Sequence, residues 1–98
     1  MIQVLALYPR IDGKKFNYDY YKNQHIQLIT DTLHPTSIDI SEALNQENTS
    51  PYFAITHIFF ESWEHFVNGY RKNAKELEKN RLKFTDTTVI IQTSEINA

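Results

Sequence analysis

The run Tyr52–Phe60 (YFAITHIFF) constrains this chain more than any other. β-Branched and aromatic residues fill nearly every position, which predicts a strand. Along it, Phe53, Ile55, His57 and Phe59 point one way, and Tyr52, Ala54, Thr56, Ile58 and Phe60 the other. A strand that is apolar on both sides belongs inside a sheet covered on both faces.

Residues 2–8 supply a second such strand. Ile2, Val4, Ala6 and Tyr8 alternate with Leu5 and Leu7, only Gln3 is polar, and Pro9 ends the run. Asp12-Gly13 marks a turn. Asn17 has the place of an N-cap, and Asp19 puts a negative charge at the positive end of the helix dipole. Phe16 before the cap and Tyr21 as the fourth helical residue have the spacing of a hydrophobic staple. The helix runs to Leu33 and stops before Pro35, because the residue preceding a proline avoids helical angles. Residues 37–43 alternate Ile38 and Ile40 with Ser37, Asp39 and Ser41, an edge strand, and residues 44–51 predict a mobile loop.

Ser62 caps a second helix with Glu64 in its first turn. Trp63, Phe66, Val67, Tyr70, Ala74 and Leu77 form its apolar stripe, which leaves His65 on the opposite side, exposed and without a task. Gly69 lies inside this helix and is expected to kink or interrupt it, at about 1 kcal/mol relative to Ala. Residues 87–96, rich in Thr, Val and Ile, make the last strand. The order β-α-β-β-α-β is α+β and ferredoxin-like: one domain over residues 1–98, a four-stranded antiparallel sheet with two helices on one face.

Two helices cover one face only. The other would expose about eight large side chains, more than the about 300–600 Å² of a monomer's largest patch. The expectation is a two-fold homodimer joined through the open sheet faces.

Composition narrows the function classes. A chain of 98 residues with 41% apolar and 13% aromatic side chains makes one packed core rather than a disordered chain. It has no run of about 18 apolar residues to span a membrane, and its N-terminus lacks signal-peptide regions. Zero cysteines excludes disulfides, thiolate metal sites and a Cys nucleophile, and a cytoplasmic protein is the simplest reading. The net charge of −2 gives no pull toward nucleic acid or anionic membranes. Arg71, Lys72, Lys75, Lys79, Arg81 and Lys83 are interrupted by Glu76 and Glu78, the pattern of a solvated helix surface.

Chemistry has few places to sit. At about 100° per residue, Tyr18, Tyr21, His25, Leu28, Ile29, Thr32 and Leu33 share one side of the first helix, so His25 meets the sheet. Buried among apolar groups it is either a satisfied core histidine or the general base of a pocket. His57, in an apolar central strand, poses the same alternative, while Tyr8, Tyr21 and Trp63 could line a small cavity or serve as ordinary aromatic core. No metal-ligand spacing, phosphate loop, dinucleotide fingerprint or nucleophile turn is present, so neither metal nor cofactor is expected. What remains is acid–base chemistry on a small apolar molecule, or binding without chemistry.

Over essentially its whole length the chain resembles the EthD family of dimeric α+β barrel proteins. The resemblance lies in Val4-Leu5-Ala6-Leu7-Tyr8-Pro9, in Tyr20-Tyr21 followed by His25 and Leu28, and in Thr56-His57-Ile58-Phe59-Phe60-Glu61-Ser62. Phe84-Thr85-Asp86 and Ile91-Gln92-Thr93-Ser94-Glu95-Ile96 complete it. The family's histidine motif has a proline two residues after the His, where this chain has Gln27, which bears on the helix path more than on His25. The resemblance implies sheets paired into a barrel around a small-ligand cavity with His25 as a pocket residue. It also implies an association with ether degradation beside an oxygenase system, the source of an oxidoreductase label, and similar folds include an isomerase, cofactor-free monooxygenases and haem-degrading enzymes. Fold does not choose among catalytic base, non-catalytic carrier and stress-related dimer.

Overall fold

The computed structural model describes residues 1–44 and 50–97; positions 45–49 of the expected loop lie outside the described residues. Four strands, β1 (Ile2–Pro9), β2 (Ser37–Glu42), β3 (Tyr52–Phe60) and β4 (Ile90–Glu95), form one antiparallel sheet in the order β2-β3-β1-β4. The two strands that are apolar on both sides take the centre, as expected, and the more polar β2 and β4 take the edges. Val4, Ala6, Tyr8, Ala54, Thr56, Ile58 and Phe60 are buried under the helices. The opposite face carries Leu5, Leu7, Ile55, Phe59 and Ile90, all at least partly exposed in the protomer.

Phe53 departs from the alternation. The register slips between Tyr8–Ala54 and Pro9–Tyr52, so β3 has one residue more than β1 at this point. The bulge turns Phe53 to the helix side, where its ring stacks 5.6 Å from Phe16 in a cluster with Tyr8, Tyr21 and Phe84. Phe53 therefore leaves the open face to which period-two counting assigned it.

The first helix, residues 18–33, opens as Tyr18–Tyr20, passes through a π-helical turn at Tyr21–His25 and continues as a regular α-helix, Ile26–Leu33. Asn17 caps it, accepting from the Tyr20 amide at 3.0 Å, and the Phe16 and Tyr21 rings meet at 5.1 Å as the staple requires. The buried side chains are Tyr21, His25, Ile29 and Leu33, each four residues after the last. A spacing of four drifts around a 3.6-residue helix. The π turn, in which the Ile26 amide donates to the Tyr21 carbonyl five residues back, removes part of that drift and keeps the four on one face. A regular 3.6-residue count cannot anticipate this turn. Gln27 follows it on the outside, donating to Asp31, and takes no part in the interior.

The second helix runs unbroken over Trp63–Arg81 from the Ser62 cap, so Gly69 neither kinks nor interrupts it. Gly69 instead lets the helices approach: a β-carbon there would stand 3.1 Å from Leu33 Cδ2. His65 also has a task, contrary to its place off the apolar stripe. Its Nε2 donates to the Leu33 carbonyl at 3.0 Å, satisfying an orphan group at the end of the first helix. The last strand begins at Ile90 rather than 87. Thr87 is buried, and its hydroxyl donates to the Pro9 carbonyl at 2.7 Å, so the chain is pinned to the core before it becomes a strand. No helix among the described residues is long and apolar enough to cross a membrane.

Candidate functional site

Helices and sheet do not close completely. Between the second helix and the β1–β4 side of the sheet lies a cavity of about 90 Å³. Its walls are Val4, Ala6, Ile29, Leu33, Ile58, Phe66 and Leu77, and its polar end is formed by Tyr8, His25, Glu78 and Arg81. Tyr70 and Ile91 also line it and remain 42% and 45% exposed, so the mouth opens between the second helix and the edge strand β4.

The π turn sets His25 into this wall, 5% exposed. Its ring lies parallel to Tyr21 at 5.7 Å and tilted against Phe84 at 4.6 Å. Nδ1 is 2.8 Å from Asn80 Oδ1, and the Asn80 amide nitrogen donates to Tyr20 Oη at 3.1 Å. Burial pushes the imidazole below its ordinary pKa, the Asn80 bond works against that shift, and the Arg81 charge adds to it. His25 is thus a neutral base near physiological pH.

Behind it the hydroxyls of Tyr8, Tyr21 and Thr56 form a buried chain. Burial raises Tyr8 well above the usual phenol value and Tyr21 to about 12, so both stay protonated. Arg81 donates to both Glu78 carboxylate oxygens and to the Thr87 carbonyl. The Glu78 carboxyl is held below its usual range by that guanidinium.

Of the five residues the sequence offered, His25 and Tyr8 line the cavity. Tyr21 is fully buried behind them and supports both rings. His57 does not join them. It faces the open side of the sheet, where its Nδ1 accepts from Gln3 Nε2 at 3.0 Å, because the parity that buries Thr56 and Ile58 turns residue 57 away. Trp63, the first residue of the second helix, is 50% exposed and packs on Phe66 at 5.7 Å. Sequence reasoning missed Asn80, Arg81 and Phe84. The helical stripe through Tyr70, Ala74 and Leu77 continues to Arg81, a signal masked by the surrounding run of cations. Among the described residues no group of three His, Asp or Glu side chains could hold a metal ion.

Comparison with known proteins identifies this framework. No curated protein is significantly similar in sequence to the chain. An EthD-like protein from Ralstonia eutropha superposes with a TM-score of 0.85 at 22% identity, over 96% of this chain and 89% of that one. An ethyl tert-butyl ether D (EthD) family protein from Bacillus halodurans gives 0.75 at 16% identity, over 99% of both chains. An Arabidopsis thaliana protein gives 0.69 at 17% identity, over 100% and 97%. At these identities the likeness concerns the fold. The profile of the EthD domain itself matches residues 9–88, from the end of β1 to the approach of β4, and by that match the chain belongs to the EthD family.

Proposed function

We propose that this protein binds a small apolar or aromatic metabolite in the helix–sheet cavity and moves a proton on it through His25. The chemistry is isomerase-like or associated with a catabolic oxidoreductase system. One observation carries this reading: a buried neutral imidazole stands in the wall of an otherwise apolar cavity that opens to solvent. The apolar open face, with Leu5, Leu7, Ile55 and Phe59, supports a homodimer, and the cysteine-free composition fits a cytoplasmic location.

A second reading, a carrier that holds the molecule without turnover, is favoured by the other groups at the polar end. Tyr8, Tyr21 and Arg81 are shifted upward and Glu78 downward, so among the described groups there His25 is the one near neutrality. A reaction needing both an acid and a base would have to use it twice.

The test is mass spectrometry of small molecules retained by the purified protein, repeated with His25→Gln. Expected is an apolar or aromatic ligand on the wild type and its loss from a variant that keeps its Tm and sedimentation behaviour. A variant that melts far earlier while its folded fraction retains ligand assigns His25 to the core. Turnover of the identified ligand by the wild type separates enzyme from carrier.

A further inference from the structure

At the polar end of the cavity most polar groups already have partners within the protein. Asn80 presents its amide oxygen to His25 Nδ1, and its amide nitrogen donates to Tyr20 Oη. An amide oxygen has no proton to give, so Nδ1 carries the hydrogen and Nε2 the lone pair. The Tyr8 hydroxyl is engaged with Tyr21, which is bonded in turn to Thr56. All three guanidinium nitrogens of Arg81 donate to protein oxygens, and its charge is matched by Glu78. The end of the cavity therefore offers the His25 Nε2 lone pair beside a guanidinium whose charge is matched by Glu78.

Resting on the reading of this cavity as a ligand site, we propose that Asn80 is a positioning residue that holds His25 in its Nδ1–H tautomer. The cavity thereby selects uncharged ligands that present an O–H or N–H donor to Nε2. Anions find no uncompensated charge there, because the Arg81 guanidinium is paired with Glu78. Ligands whose polar atom only accepts face Nε2 lone pair to lone pair, leaving both groups without a partner. Size sets the second limit. A void of about 150 Å³ takes one benzene, and at about 90 Å³ this cavity admits no more than a single small ring, with part of a larger molecule standing in the mouth beside Tyr70 and Ile91.

Pyrrole and furan test this directly, being five-membered rings of nearly equal size, the first a donor and the second an acceptor. The protein is labelled with ¹⁵N for NMR at pH 7.5, and each ring is titrated while resonances of Leu77 and Phe66 report binding in the cavity. Expected are a protonated Nδ1 and a bare Nε2 on His25, and pyrrole binding about tenfold more tightly than furan, the effect of one hydrogen bond of ordinary strength. In Asn80→Asp a carboxylate faces Nδ1, His25 becomes protonated on both nitrogens, and the pyrrole preference is lost. A purely structural Asn80 would leave the tautomer and the selectivity unmoved in that variant. If Asn80→Asp does not fold, the wild-type tautomer and selectivity still decide. A proton on Nε2 in the wild type, or furan binding as well as pyrrole, overturns the proposal while leaving a ligand site in place. Failure of both rings to bind at millimolar concentration overturns it together with the ligand-site reading.

Discussion

Thr56 and His57 are neighbours on β3 and live on opposite faces of one sheet. Thr56 is wholly buried beneath the first helix and bonded to Tyr21, whereas His57 is half-buried on the open face with Gln3 as partner. The two central strands are largely apolar on both faces, but the helix side contains a buried polar line from Thr56 through Tyr21 and Tyr8 to the cavity. On the open side the Gln3–His57 pair sits among Leu5, Leu7, Ile55 and Phe59. A face that closes on its own helices can orient polar groups within its core, because every partner comes from the same chain. The homodimer proposed above requires the centre of the open face to be apolar and shape-complementary to a second copy.

The sharpest way to break this contrast is to excavate the helix side. Phe60→Ala, at a residue 1% exposed, should cost about 3–5 kcal/mol in urea denaturation. A cost under about 1 kcal/mol would mean the helices do not seal this face. On the open face, Ile55→Lys should leave the circular dichroism spectrum intact while weakening the dimer at least about a hundredfold, or about 3 kcal/mol, in sedimentation equilibrium. A wild-type protein that sediments as a monomer at micromolar concentration removes the dimer reading altogether. Smaller is the effect of Tyr21→Phe, which leaves buried Thr56 and Tyr8 hydroxyls without their partner and should cost about 1–3 kcal/mol, read from thermal unfolding. His57→Ala serves as its control and should change protomer stability by less.

The smallest effect is a pH dependence. The folded state holds His25 below its ordinary value of 6.5, so the unfolded chain binds the proton more readily. The contribution is present in full above pH 6.5 and is lost as the pH falls through the folded-state value. Melting curves of the wild type should show this loss, and His25→Gln should flatten it. Equal slopes in the two proteins would show that His25 protonates freely in the fold.

Local signals carried much of the architecture. The Asn17 and Ser62 caps, the Phe16–Tyr21 staple and the doubly apolar central strands depend on residues a few positions apart, and each appears where the pattern put it. The site was legible only in part. His25 and Tyr8 were found because an imidazole and a phenol on apolar stripes are conspicuous. Trp63 and His57 fit the same pattern and went elsewhere, since a stripe identifies what is covered and not by what.

By itself the sequence determined the element order, the doubly apolar character of the central strands and the burial of His25. These follow from periodicity and capping, which act within a few residues. Tertiary structure alone decided the π turn, the inward bulge at Phe53, the close approach at Gly69 and the pairing of His25 with Asn80, 55 residues away. Those features arise when two separately formed elements must fill one interior without voids, and the shape each takes depends on a partner that no local pattern encodes.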